Sequence, residues 1–139
     1  MPAIVSSADT ESCLRSILAA ENYTLNKQRG HGETGVDLLA ERGDERLHIE
    51  VIAYKSSGPA RAKDFYEAFF RAISRIDDGA TECVIAIAAQ AESGLPARAR
   101  QYGSSWKRIG QAFPELKIWL VDERAKTIRK TGWGYWASR

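Results

Sequence analysis

An unbroken apolar run, Cys83-Val84-Ile85-Ala86-Ile87-Ala88, constrains the fold of this chain more than any other sequence feature. Strands with one face in water alternate apolar and polar residues, whereas strands buried on both faces are apolar throughout and are typical of parallel sheets covered by helices. The run therefore predicts a central strand that is covered on both sides, and with it an α/β fold.

The N-terminal part of the chain is predicted to contain one helix and one strand. Apolar residues recur at helical spacing, and Ser7 or Asp9 can cap a helix that ends near Asn22. Residues 23–28 alternate in the manner of a strand. Three glycines interrupt residues 29–35, which we expect to form a mobile loop.

A β-hairpin is predicted next, with strands at residues 36–40 and 47–54 and a turn around Gly43. Successive side chains of a strand point to opposite faces of the sheet. In the second strand, one face is therefore predicted to carry Leu47, Ile49, Val51 and Ala53, and the other to carry His48, Glu50, Ile52 and Tyr54.

Two further helices and two further strands complete the prediction. The helices cover residues 60–76 and 95–113, and the second helix is expected to break near Gly103. The strands cover residues 118–121 and 127–128 and pair across a turn. The predicted order along the chain is therefore helix, three strands, helix, strand, helix, strand.

Two carboxylates mark a candidate site on the hairpin. Asp37 lies near the start of the first hairpin strand and Glu50 late in the antiparallel partner, so their side chains can meet across the sheet. Hydrolysis of a phosphodiester bond with a divalent metal needs oxygen ligands close together, and Mg²⁺ prefers carboxylates, water and phosphate oxygens. We therefore predict a site for Mg²⁺ (or Mn²⁺) at Asp37 and Glu50.

The two carboxylates belong to a longer pattern that resembles the PD-(D/E)XK nucleases. Gly35-Val36-Asp37 is followed by Ile49-Glu50-Val51, and Asp64-Phe65-Tyr66-Glu67-Ala68 then opens a helix. A late Leu116-Lys117-Ile118-Trp119-Leu120-Val121-Asp122 segment also matches in order, so the resemblance covers roughly residues 10–125. Each piece is short, and the specificity comes from their order.

The resemblance implies both a fold and an activity. The fold is a restriction-endonuclease-like αβββαβ core, in which helices flank a mixed central sheet. The activity is metal-dependent hydrolysis of phosphodiester bonds in DNA by an endonuclease. In the family, Asp37 and Glu50 would bind the metal and Glu11 on the first helix would complete the acidic site. The alternative for Glu11 is a surface charge in a first helical turn.

The chain departs from the family pattern at Ile52, where the family has a lysine that positions or polarises the attacking water. Lys55 is the first candidate to replace that lysine, and Arg71 on the following helix is the second, with Lys63 on the same helix. An arginine stabilises negative charge but stays protonated and cannot act as a base. The alternative is a catalytically degenerate nuclease-fold module that serves in nucleic-acid binding or oligomerisation.

The charge distribution is compatible with a polyanionic partner. The net charge is +2, but residues 1–57 contain six Lys or Arg and nine Asp or Glu, whereas residues 58–139 contain fourteen and nine. An acidic site facing a basic half is compatible with a polyanionic substrate and also with chance, and it is the family resemblance that implies DNA as the partner. One group of residues has two interpretations. Its cations and aromatic rings could line a DNA groove, or they could be the solvated and buried faces of an ordinary amphipathic helix. The group is Arg98, Arg100, Tyr102, Trp106, Lys107 and Arg108.

Length predicts a single domain over residues 1–139, and the resemblance implies that this domain is restriction-endonuclease-like. The longest apolar run, residues 83–89, is shorter than the roughly 20 residues that span a bilayer. The N-terminus has no basic stretch followed by an apolar core. We therefore predict a cytoplasmic protein without a membrane partner.

Few other residues are candidates for a special role. Cys13 and Cys83 lie in different apolar segments and are predicted to be buried thiols. His31 and His48 have no third partner at ligand spacing, so we predict loop or surface histidines and no zinc. Packing against the sheet and a homodimer contact are the two interpretations of the closing aromatic residues, Trp133, Tyr135 and Trp136.

Overall fold

The computed structural model describes residues 5–27 and 37–138, in which helices flank one six-stranded sheet. The helices are α1 (Ser7–Ala20), α2 (Gly58–Ser74), α3 (Leu95–Tyr102) and α4 (Ser104–Ala112). The strands are β1 (Thr24–Leu25), β2 (Leu38–Arg42), β3 (Glu45–Val51), β4 (Glu82–Ala88), β5 (Leu116–Asp122) and β6 (Thr127–Gly132). Short 3-10 helices follow α2 at Arg75–Asp78, β4 at Ala89–Gly94 and β6 at Trp133–Ser138.

The sheet is mixed, and its strands lie side by side in chain order. β3, β4 and β5 run parallel, while β1, β2 and β6 are antiparallel to their neighbours. Parallel neighbours need a long crossover. Here α2 connects β3 to β4, and α3 with α4 connects β4 to β5. The predicted element order and the predicted mixed sheet flanked by helices are both confirmed.

Helices cover both faces of β4, the strand that the apolar run predicted. On one face, Leu14 of α1 shares a core with Val84. On the other face, Phe65 of α2 and Trp106 of α4 share a second core with Ile85. Residues 83–88 are all buried, so the absence of polar residues from this run is explained by a helix layer on each side.

The ends of three predicted elements differ in the structure. Ser6, rather than Ser7 or Asp9, caps α1, because its side chain accepts a hydrogen bond from the backbone N–H of Asp9 at 3.0 Å. The second hairpin strand ends at Val51 rather than at residue 54, and beyond its end Tyr54 forms an isolated antiparallel bridge with Val5. Helix α2 ends before the predicted residue 76 and tightens into the 3-10 helix that follows it.

Other predicted boundaries differ at the two edges of the sheet. Within the described residues, the strand predicted at 23–28 is reduced to the two residues of β1. The strands predicted at 118–121 and 127–128 are longer, because β5 and β6 pair over six residue positions. The loop predicted at 29–35, which includes His31, lies outside the described residues.

The predicted helix break at Gly103 is confirmed. Gly103 separates α3 from α4 and has a φ of 50° and a ψ of −115°. A side chain disfavours positive φ, so a glycine is the residue best suited to this turn. The break lets α4 place Trp106 in the core beside Phe65, with ring centroids 6.3 Å apart.

The closing aromatic residues pack back onto the protein. Trp133 and Trp136 are both buried. The indole N–H of Trp106 donates to the carbonyl of Trp133, and that of Trp133 donates to the carbonyl of Trp106, each at 2.9 Å. The two indoles also stack, with ring centroids 3.9 Å apart. The prediction that this segment packs against the protein is therefore confirmed. The alternative, a homodimer contact, stays a prediction, and the two buried tryptophans do not support it.

The two cysteines are buried free thiols, as predicted. Cys13 on α1 and Cys83 on β4 belong to the cores on opposite faces of the sheet. Among the helices that the structure describes, none has the length and apolar character needed to cross a membrane.

Replacing Trp133 with alanine should destabilise the fold, because it removes a buried ring and the donor of one of the paired indole hydrogen bonds. We expect the free energy of unfolding to fall by about 3–5 kcal/mol, as measured by urea denaturation. Phe70→Ala is the control, since that ring is 69% exposed, and it should cost less than about 1 kcal/mol. Equal losses in the two variants would contradict an anchoring role for Trp133.

Candidate acidic site on strands β2 and β3

Asp37 and Glu50 meet on the hairpin, as the alternation of side chains predicted. Because β2 and β3 pair with Leu38 opposite Ile49, Asp37 lies one position before β2 and opposite Glu50. The backbone N–H of Val51 donates to Asp37 Oδ2 at 2.8 Å. The carboxyl groups of Asp37 and Glu50 are close enough to form a side-chain hydrogen bond. The register of the hairpin thus builds the acidic pair.

Glu50 is a buried acid. It is only 2% exposed, and it lies on the face of β3 that α2 covers. Burial disfavours the charged form and is the largest cause of a pKa raised to about 7, with the nearby negative charge of Asp37 as the second cause. The Oε1 atom of Glu50 has no hydrogen-bond partner among the described residues. The site therefore holds a proton near neutral pH and leaves one carboxyl oxygen without a donor.

Arg75 is a charged neighbour of Glu50 that the sequence analysis missed. Its Nε lies 3.8 Å from Glu50 Oε1, and its Nη1 lies 3.3 Å from Asp78 Oδ2. The positive charges of Arg75 and, to a smaller extent, Arg71 lower the pKa of Glu50 and so oppose the effect of burial. Arg75 is the first residue of the 3-10 helix that follows α2, so the helical spacing of residues 60–76 did not single it out in the sequence.

The prediction that His48 is a loop or surface residue was wrong. His48 lies within β3 and is only 4% exposed, because α2 covers its face of the strand. Arg46 Nε donates to His48 Nε2 at 3.4 Å, and His48 Nδ1 has no partner within the described residues. Burial and the positive charges of Arg46 and Arg75 lower the pKa of His48, so its imidazole is neutral at physiological pH.

The predicted replacements for the family lysine are solvated and paired elsewhere. Lys55 lies beyond the end of β3, with its Nζ 2.9 Å from Asp64 Oδ2. Arg71 and Lys63 both pair with Glu67, at 3.6 Å and 3.9 Å. The three cationic side chains are at least half exposed. Within residues 5–27 and 37–138, no described ion pair joins any of them to Asp37 or Glu50.

Glu11 is connected to the acidic pair only through Arg15 among the contacts described. It lies on α1, which covers the opposite face of the sheet, and its Oε2 accepts a hydrogen bond from Arg15 Nε at 2.7 Å. Arg15 in turn donates to the backbone carbonyl of Asp37 at 3.4 Å. In the described part of the chain, no three acidic, histidine or cysteine side chains are grouped so that they could hold a metal. The role of Glu11 as a third ligand stays a prediction.

The basic and aromatic residues of α3 and α4 divide between core and surface. Trp106 is buried, as the amphipathic-helix interpretation predicted, whereas Tyr102 is 39% exposed. The hydroxyl of Tyr102 hydrogen-bonds to that of Tyr66, which also accepts from Arg98 at 3.0 Å. Tyr102 and the arginines near it are on the surface, so a DNA groove formed by them stays a prediction.

Comparisons of the chain with protein families, with curated proteins and with solved structures find no significant match. The chemistry of the site therefore has to be argued from its own geometry. That geometry consists of two opposed carboxyl groups, one of them buried, with a guanidinium at ion-pair distance.

The titration of Glu50 should make stability fall as pH rises. The folded protein keeps the Glu50 proton up to about pH 7, whereas the unfolded chain releases it near the ordinary pKa of 4.5. Between these values the folded state binds more protons, so the free energy of unfolding should decrease with pH, by at most about 3 kcal/mol.

Glu50→Gln should remove this pH dependence. Urea denaturation between pH 4.5 and 8 should give a flatter profile for Glu50→Gln than for the wild type, and the variant should be the more stable protein above pH 7. Glu41→Gln removes one exposed carboxylate from the neighbouring strand and is the control. A difference between wild type and Glu50→Gln that does not change with pH would rule out a raised pKa of Glu50.

Proposed function

We propose that this protein is a metal-dependent endonuclease that hydrolyses phosphodiester bonds in DNA, built on a restriction-endonuclease-like core. The observation that carries the proposal is the pairing of Asp37 with a buried Glu50 across the hairpin. The order of helices and strands, which is the order that the sequence resemblance implies, supports the same proposal. The positive balance of residues 58–139 is compatible with a DNA partner.

The residues of the site fit a divalent cation. Glu50 Oε1 is buried without a hydrogen-bond donor, and the two adjacent carboxyl groups repel each other when both are charged. A hard cation would satisfy that oxygen and relieve this repulsion. Mg²⁺ is commonly held by only one or two carboxylates together with water and substrate phosphates, so the two carboxylates of Asp37 and Glu50 are sufficient.

The chain's own residues have distinct parts in the proposed reaction. Asp37 and Glu50 would hold Mg²⁺ or Mn²⁺, which would polarise the phosphate and lower the pKa of a bound water. Asp37 is oriented by the hydrogen bond from the Val51 N–H. Arg75, the cation at ion-pair distance from Glu50, would stabilise the negative charge that develops on the phosphate. Because a guanidinium stays protonated, Arg75 would not act as the base.

A catalytically degenerate module for nucleic-acid binding or oligomerisation is the second candidate. The observation that favours it is Ile52, which packs against the apolar core at the position where the family has its lysine. Retention of Glu50 in a buried position favours the active enzyme instead, because an ionisable group there has an energetic cost that an apolar residue would avoid.

Binding of Mn²⁺ to wild type, Asp37→Asn and Glu50→Gln separates the two candidates. We expect Mn²⁺ to bind the wild type in calorimetry and to raise its melting temperature, because a ligand that binds only the folded state stabilises it. Both variants should lose this response, and plasmid nicking on the same samples should fall by about 100-fold or more. Glu41→Gln should behave as the wild type.

The outcomes are distinct. Metal binding without nicking in the wild type would favour the degenerate module. No binding by the wild type at millimolar Mn²⁺ would contradict the endonuclease.

Three matched substitutions test which cation replaces the family lysine. We expect Arg75→Gln to lower the nicking rate by about 100-fold while Mn²⁺ binding persists, because it removes a charged donor beside the reacting phosphate. Lys55→Gln and Arg71→Gln should change the rate only a few-fold, since both side chains are solvated.

Arg75→Lys keeps the positive charge near Glu50 and controls for loss of the fold. It should retain more nicking activity than Arg75→Gln. A larger loss in Lys55→Gln than in Arg75→Gln would assign the role to Lys55 instead.

A further inference from the structure

A polar cavity lies near the acidic pair. It has a volume of about 120 Å³ and opens outside the carboxyl ends of the parallel strands β3 and β4. Ile52, Ala88 and Gly94 are among its lining residues, from the end of each strand and the start of α3. Ligands of α/β proteins commonly bind outside the carboxyl ends of parallel strands.

The charged residues that line this cavity are two arginines. Arg61 of α2 and Arg98 of α3 contribute their side chains, and its described lining contains no aspartate or glutamate. Neither arginine forms a described ion pair within residues 5–27 and 37–138. Two guanidinium groups that share a small cavity without a carboxylate create a positive potential that favours an anion.

Packing holds both guanidinium groups in place without using most of their donors. Arg61 Nη1 donates to the backbone carbonyl of Lys55 at 2.6 Å, and its guanidinium lies 4.9 Å from the centre of the Tyr54 ring. Arg98 Nη1 donates to the Tyr66 hydroxyl, and its guanidinium lies 5.0 Å from the centre of the Phe65 ring. Each guanidinium has five N–H donors, so several remain for a ligand.

We propose that this cavity binds a phosphate group through Arg61 and Arg98. Arginine presents paired donors that match the oxygens of a phosphate. A cavity of 120 Å³ holds one such group with a few waters, since a water takes about 30 Å³ in the liquid. Gln90 and Ser93 add polar groups to the same lining.

The position of the cavity identifies the phosphate as part of a nucleic-acid strand, an assignment that rests on the proposed function. Ile52 lines the cavity, lies two residues after Glu50 and packs against the core on the α2 side of the sheet. Two residues of a strand span about 7 Å, so the lining of the cavity begins close to the acidic pair. The arginines therefore bind another phosphate of the strand whose scissile phosphate lies at Asp37 and Glu50.

Strand binding without metal tests this inference separately from catalysis. A fluorescein-labelled single-stranded 12-mer DNA is titrated with protein in EDTA at several salt concentrations, and anisotropy gives the Kd. We expect Arg61→Gln and Arg98→Gln each to raise the Kd by about tenfold. Each should also reduce the slope of log Kd against log salt by about 0.7, the value for one lost phosphate contact with a single strand.

Control variants separate the cavity from general charge and from misfolding. Arg124→Gln removes one exposed arginine from the β5–β6 turn and should leave both the Kd and the salt slope close to those of the wild type. Arg61→Lys and Arg98→Lys retain the charge and should keep most of the salt slope. Melting curves identify any variant that fails to fold, and the lysine variant then decides for that position.

Each result has one consequence. If Arg61→Gln and Arg98→Gln bind the strand as the wild type does, the cavity is not a phosphate site of the strand and the inference is overturned. If deoxyadenosine monophosphate binds the wild type and requires both arginines while strand binding does not, the phosphate belongs to a free nucleotide and the assignment to a strand is overturned. Intact strand binding without any Mn²⁺ binding would contradict the endonuclease but support the cavity.

Discussion

Burial of β4 on both faces is the constraint on which the rest of the structure depends. Its apolar side chains leave water only if a helix layer covers each side of the sheet, and α1 supplies one layer while α2, α3 and α4 supply the other. The helices of the second layer are also the crossovers that keep β3, β4 and β5 parallel. The parallel arrangement brings the carboxyl ends of β3 and β4 to one edge, where the arginine-lined cavity lies.

The same burial makes Glu50 an energetic exception in the sheet. Its neighbour in β4 is Ile85, and both side chains lie under the helix layer that contains α2. The fold offsets the cost of burying this carboxyl group only in part, because Arg75 lies at ion-pair distance but beyond a hydrogen bond. An apolar residue would fill the position without that cost. A residue that opposes local stability is expected at a functional site. Glu50 is therefore a stronger candidate for a functional role than the exposed acidic residues of this chain.

Local pattern was sufficient to predict the elements that carry the site. Alternation along residues 47–52 assigned the two faces of β3, and the opposed positions of Asp37 and Glu50 follow from the hairpin register that the pattern implied. The continuous apolar run likewise predicted β4. These features depend on the period of the side chains within one strand or one hairpin, so no knowledge of distant contacts was needed.

Features that depend on distant contacts were the ones missed. His48 was predicted to be a loop or surface residue because no partner at ligand spacing was found for it, but α2 covers its face of β3 and buries it. The position of Arg75 depends on how α2 tightens into a 3-10 helix beside β3, which a helical period does not reveal. The pairing of Tyr54 with Val5, just beyond the end of β3, likewise joins residues that are far apart in sequence.

The charges at this edge of the sheet link the two proposed sites to each other. A nucleic-acid strand is a row of anions, so Arg61 and Arg98 would attract it while Asp37 and Glu50, when charged, would repel it. A divalent cation between the carboxylates would convert that repulsion into attraction and add a contact to the phosphate. If the two sites hold phosphates of one strand, metal and strand each favour the binding of the other.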